Sequence, residues 1–204
     1  MFMKNKIISF IWFLLIVCPN IKSQDTLTMG VGISLNPNFI FTNSENVYYS
    51  LTNPTSFYLI FNISNIRFEP EFGYYTYSND YNYDRSSETQ AYSTLRTGLR
   101  IFCEIIMESS FKLYAGPRLG LIFTSSKFSY TGAEEEKTTE LDFISGICTG
   151  GEYLFSQHFS IGGEVQLNYI ILGEPESSHP GFSSSSRSAS ETGTNTEVFF
   201  RWYF

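Results

Sequence analysis

Acidic and basic side chains recur on one parity of several short stretches of this chain. Examples are Arg67, Glu69 and Glu71, then Arg96, Arg100 and Glu104, then Glu197 and Arg201. Both signs are mixed and interleaved with glycines, which suits an enclosed polar space better than a solvated face rich in Lys and Glu. Charges confined in such a space must pair, because an unpaired ion out of water is costly. The spacing therefore predicts one ion-pair network of Glu69, Glu71, Arg96, Arg100, Glu104, Arg118, Glu152, Glu164 and Arg201, with a structural role ahead of a proton or ion pathway. A second grouping has the residue types of a hydroxyl nucleophile, a base and an orienting acid: His158, Ser160 and, nearby, Glu164. No Cys-x-x-Cys or His-rich spacing suggests a metal site, and no cofactor is expected.

These residues must be positioned by strands. From Thr26 onward apolar β-branched and aromatic residues alternate with Gly, polar or charged ones. The alternation predicts eight strands, at about 26–35, 55–63, 66–78, 91–106, 111–126, 139–154, 158–172 and 192–204. In the fourth, Tyr92, Thr94, Arg96, Gly98, Arg100, Phe102 and Glu104 oppose Ser93, Leu95, Thr97, Leu99, Ile101, Cys103 and Ile105. In the last, Glu197, Phe199, Arg201 and Tyr203 oppose Val198, Phe200, Trp202 and Phe204.

Connections alternate long with short. Asn36–Pro54, Asn79–Gln90, Lys127–Thr138 and the Ser-rich Gly173–Glu191 are long and polar, whereas Ser64–Asn65, Met107–Ser110 and Phe155–Gln157 are hairpin turns. An antiparallel meander then has all short turns at one rim and all long loops at the other, the asymmetry of outer-membrane barrels. A secreted lipocalin-type barrel has the same strand count but turns its apolar parity inward around a ligand. The charge-bearing parity argues for the opposite sense. Pro70 and Pro117 fall within predicted strands, where proline donates no ladder bond, and a local bulge is expected at each.

Lys4 and Lys6, the apolar run Ile7–Val17 and the break at Pro19, Asn20 and Lys22 have the order of a secretory signal peptide, with cleavage expected after Ser23. Cys18 lacks the small neighbours of a lipoprotein site. Residues 1–23 form this signal and 24–204 one barrel domain. Removing the signal takes Lys4, Lys6 and Lys22 from the 13 basic residues and leaves all 20 acidic ones, which argues against nucleic acid as a partner. Cys103 and Cys148 then remain, too few for a disulfide scaffold. The mature part holds no apolar run long enough for a membrane helix, so it can enter a bilayer only as a closed barrel.

The strand Phe111-Lys112-Leu113-Tyr114-Ala115-Gly116-Pro117-Arg118-Leu119-Gly120, the hairpin of Gly150-Gly151-Glu152-Tyr153 with Gly162-Gly163-Glu164, and the closing Val198-Phe199-Phe200-Arg201-Trp202-Tyr203-Phe204 resemble the small porin-family outer-membrane β-barrel proteins. The likeness is to the membrane domains of the OmpA and OmpX class, in the style common in Bacteroidetes, over nearly all of 24–204. It implies an all-β, eight-stranded antiparallel up-and-down transmembrane barrel in the bacterial outer membrane. It also implies that Val198, Phe200, Trp202 and Phe204 form the signal read by the outer-membrane insertion machinery, with periplasmic chaperones as further biogenesis partners. The chain stops at Phe204, so no wall-binding domain is expected after the barrel.

The expected function is non-enzymatic: membrane integrity, adhesion, or binding of extracellular protein or glycan through the long loops, with outer-membrane lipid around the barrel. Tyr74-Tyr75-Thr76-Tyr77 and Tyr81-Asn82-Tyr83 suit such binding, or an aromatic girdle at the membrane interface. The alternatives are a narrow ion channel and a lipid A-modifying enzyme, since His158 and Ser160 loosely resemble the His-x-Ser element of lipid A deacylases. Against the second, His158 belongs to the short-turn rim and His179 to a Ser-rich loop without a defined partner.

Overall fold

The computed structural model describes residues 27–36, 55–83, 86–108, 110–132, 135–178 and 189–204. The expected signal peptide (residues 1–23), the connection after Asn36 and the middle of the Ser-rich segment with His179 lie outside them. The strands are β1 (Thr28–Leu35), β2 (Thr55–Ile63), β3 (Ile66–Tyr83), β4 (Ser86–Glu108), β5 (Phe111–Tyr130), β6 (Glu136–Leu154), β7 (Phe159–Ile171), the two-residue β8 (Glu176–Ser177) and β9 (Ser190–Tyr203). Apart from β8, each long strand pairs antiparallel with the next, and β9 pairs with β1. The result is a closed eight-stranded barrel.

The register fixes the shape. From Arg201 the partners run through Gly32, Tyr58, Glu71, Gly98, Gly120, Ile144 and Ile170 and return to β9 at Glu191, ten residues away from the start. Closing eight strands with that stagger tilts them by about 40° to the barrel axis. An even stagger also keeps one parity inside all the way round. The short turns gather at one rim; in the two-residue turn Ser64–Asn65, Ser64 takes a φ of 56°.

Strand positions agree with the alternation, but several strands are longer than expected. The polar stretch Asn79–Gln90 is not a loop: β3 and β4 stay paired out to Tyr83 and Ser86. Lys127–Thr138 shrinks likewise, because Lys127 and Phe128 pair with Lys137 and Glu136. The alternation persists there while its outward members become polar (Thr76, Ser78, Asp80, Asn82), and that change of partner polarity is what resembled a loop. The small β8 pairs with Thr138 and Thr139 of β6.

The bulges expected at Pro70 and Pro117 do not form. The β2–β3 ladder omits the Leu59 and Ile60 pairs beside Pro70, and the β4–β5 ladder omits those of Ile101 and Phe102 beside Pro117, yet the register is the same on either side of each gap. Each proline keeps its other neighbour, Leu99 and Ile147 respectively. A missing N–H opens one ladder locally and needs no extra residue. The register does shift between Ile106 and Glu108, at the short turn.

Burial is inverted relative to a soluble protein. The buried set is dominated by Arg, Glu, Asn and Gln, while Val31, Leu59, Leu99, Leu119, Ile147, Leu167 and Trp202 are exposed on the outer face. Soluble monomers rarely expose a continuous apolar patch of more than a few hundred Å².

Candidate functional site

The candidate site is the lumen itself. Nearest the short-turn rim, Arg67 pairs with Glu104 and Glu152 and donates its Nε–H to Asn62, at 3.1 Å. Arg201 reaches Glu69 and Glu152, each at 2.8 Å, and Glu152 also accepts the hydroxyls of Tyr203 at 3.0 Å and Ser160 at 3.2 Å. In the middle, Arg100 stands among Glu69 (3.1 Å), Glu71 (3.3 Å), Glu164 (3.1 Å) and Glu197 (3.5 Å). Toward the far rim, Arg118 holds Glu71 at 2.6 Å and the amide oxygens of Gln166 and Asn168. Arg96 donates to Ser56 at 2.6 Å and meets Glu197 at 3.4 Å.

All nine residues expected in a network are buried and lie in this chain of contacts. Three more belong to it: Arg67, Glu197 and, at its edge, Lys112, which pairs with Glu104 at 3.2 Å. Both buried members sit on the charge-bearing parity, so the alternation alone could have found them. With them the charges balance: Arg67, Arg96, Arg100, Arg118, Arg201 and Lys112 face Glu69, Glu71, Glu104, Glu152, Glu164 and Glu197. Neutrality matters because each desolvated ion must be compensated within the barrel.

The aromatic residues on this face were not part of the expected network. Tyr58, Phe102, Tyr114 and Phe199 stack with the guanidinium groups, Arg201 lying 3.8 Å from the Phe199 ring centre and Arg100 4.5 Å from that of Tyr58. Cation–π contact suits Arg, whose planar group is weakly hydrated. The glycines serve these rings. A Cβ at Gly32 would stand 2.0 Å from the Tyr58 ring, and one at Gly162 would stand 2.3 Å from that of Phe199. Cys148 is a buried thiol on the same inner face, and Cys103 has the opposite parity. Beyond the network, Ile122, Ile144 and Ile170 pack into an apolar layer toward the long-loop rim.

The structure separates the members of the candidate triad. Ser160 is fully buried and its hydroxyl donates a hydrogen bond to Glu152, whereas the exposed His158 places Nδ1 3.0 Å from the carbonyl oxygen of Tyr203 and stacks on Trp202. Glu164 is held by Arg100 and by the Tyr114 hydroxyl. Among the described residues no three His, Cys, Asp or Glu side chains are arranged to hold a metal ion.

On the outer face, Val198, Trp202 and Phe204 are exposed and Phe200 is half-buried, and the Phe204 N–H donates to the Met29 carbonyl across the β9–β1 seam. An aromatic cluster covers this rim on β6, β7 and β9: Tyr153 with Phe155 at 5.1 Å between ring centres, and Phe159 with Phe200 and Trp202 at 6.4 and 6.3 Å. Tyr74 and Tyr169 point outward near the other end of the apolar belt. Aromatic residues at both ends of an apolar band suit the two interfaces of a bilayer.

No protein-family model and no curated protein matches the chain. Solved structures do. A major outer membrane protein from Thermus thermophilus superposes with a TM-score of 0.50 at 12% identity, over 88% of this chain and all of the other. CarO2 of Acinetobacter baumannii (TM-score 0.45, 10% identity, 88% of this chain and 100% of that one) and Neisserial surface protein A (0.44, 14%, 87% and 96%) are further similar structures. The fold is that of the small eight-stranded outer-membrane β-barrels.

Proposed function

We propose that this protein is a non-enzymatic barrel of the bacterial outer membrane, with a plugged lumen and an external rim that serves membrane integrity, adhesion or surface binding. One observation carries the reading: the side-chain distribution is inside-out, with apolar residues facing outward, aromatic ones at the ends of the apolar band, and a network of ion pairs within. Outer-membrane lipid is the solvent that this outer face fits.

The rim of the short turns faces the periplasm. Val198, Phe200, Trp202 and Phe204 form the signal for the insertion machinery, and chaperones escort the chain to it. At the other rim, β3 to β6 extend beyond the apolar belt, which on β3 ends at Tyr74 and on β5 at Phe123. Past Tyr74 the outward residues of β3 turn polar, so this part of the sheet is offered to external partners rather than to lipid.

Conductance is disfavoured on two counts. The ion-pair network is itself balanced and its side chains occupy the lumen, and the layer of Ile122, Ile144 and Ile170 lies between them and the external mouth. Planar-bilayer recordings of the purified barrel test this: silence is expected, and reproducible single-channel events would restore the channel reading.

A further inference from the structure

Beyond the apolar belt, β3 to β6 form a projecting sheet whose inner face looks over the barrel mouth. Its register places residues in cross-strand rows. Near the tip one row is Tyr81, Glu88 and Tyr130, so one carboxylate stands between two tyrosines. The next is Asn79, Gln90, Phe128 and Glu136, followed by Tyr77, Tyr92, Ser126 and Thr138. Tyr77, Tyr81 and Tyr130 are 44%, 42% and 51% exposed, and Tyr92 meets Phe128 edge-on at 6.0 Å. The inner parity also carries Glu140. No Lys or Arg lies on this face among the described residues; Lys127 and Lys137 point to the opposite side.

Directly opposed residues on antiparallel strands stand about 5 Å apart. Tyr81 and Tyr130 therefore flank Glu88 closely enough for a cation seated on the carboxylate to touch ring faces as well. We propose that this aromatic, acidic face binds a cationic polypeptide segment, with an Arg or Lys of the partner held at Glu88 between Tyr81 and Tyr130. Charge complementarity selects this occupant. The rings favour a guanidinium or ammonium over a hydrated metal ion, since cation–π attraction rewards weakly hydrated, planar cations. The proposal rests on the external, binding-surface reading of the rim, and it adds to that reading the chemistry of the partner and the residues that take it.

The test uses the mature chain refolded in zwitterionic detergent micelles and a fluorescent octa-arginine peptide, with binding read by anisotropy. Heat-dependent gel migration establishes that each variant has folded. The double variant Tyr81→Ala, Tyr130→Ala removes no charge and is expected to weaken binding about tenfold, from about two- to fivefold per ring. Glu88→Gln is expected to weaken it severalfold, and Asp80→Asn, which removes the same charge from the outer face of β3, less than twofold. Absence of binding by the folded native protein overturns the proposal. So does unchanged binding by the tyrosine variant, or an equal loss in Asp80→Asn and Glu88→Gln, which would mean unspecific attraction to an acidic protein. Failure of the native chain to fold in detergent at all would instead count against the membrane-barrel reading itself.

Discussion

Each arginine in the lumen is held by two or more partners, so truncation removes a cation from more than one buried group and leaves the network one positive charge short. Arg201→Met leaves Glu69 and Glu152 short of a cation while preserving most of the volume. Removing one partner of a buried pair costs about 3–5 kcal/mol, and urea unfolding in lipid vesicles should register a loss of that size. Tyr203→Phe deletes only a hydrogen bond to Glu152 and should cost about 1 kcal/mol in the same assay. Gly32→Ala drives a methyl group into the Tyr58 ring and should cost about 1–3 kcal/mol. At this scale the sequence was informative where period two was unbroken. Arg67 and Glu197 share the parity of the nine residues singled out and could have been added. The stacking of Arg100 on Tyr58 was not legible, because it depends on which strands face one another across the lumen, and alternation within a strand carries nothing about that.

The strands obey two separate rules along their length. Within the apolar belt, outward residues must satisfy lipid; beyond it they satisfy water, while the backbone pairing continues unchanged. This is why the alternation located all eight strands yet ended β3 at residue 78 and began β4 at 91: the outward polarity changed, and the ladder did not. Pro70 and Pro117 were legible as anomalies, but whether proline opens a ladder or adds a bulge depends on which neighbour its nitrogen faces, which only the assembled sheet determines. The division predicts opposite tolerances. Leu119→Arg, near the middle of the apolar stretch of β5, should destabilise the barrel by about 2–4 kcal/mol in vesicle unfolding. Replacing residues 79–90 with a two-residue turn should leave both heat-dependent migration and the unfolding midpoint of the barrel unchanged, since the deleted pairs lie outside the belt.

For the whole molecule, closure and inversion are coupled. A stagger of ten residues keeps one parity inside round all eight strands, and that parity carries both the acids and the bases. Folding therefore assembles the ion pairs only when the barrel closes, while its exterior gains nothing from water. On the proposed reading, the rim built by the projecting ends of β3 to β6, with its tyrosines, is the part of the molecule left to meet partners. The central claim is that the apolar exterior faces the lipid of the outer membrane. Fractionation of expressing cells, followed by electrophoresis of unheated and heated samples, tests it most directly. The account predicts that the protein sediments with outer membranes, needs detergent for extraction, and migrates differently before and after heating; a protein fully soluble and monomeric without detergent would contradict it.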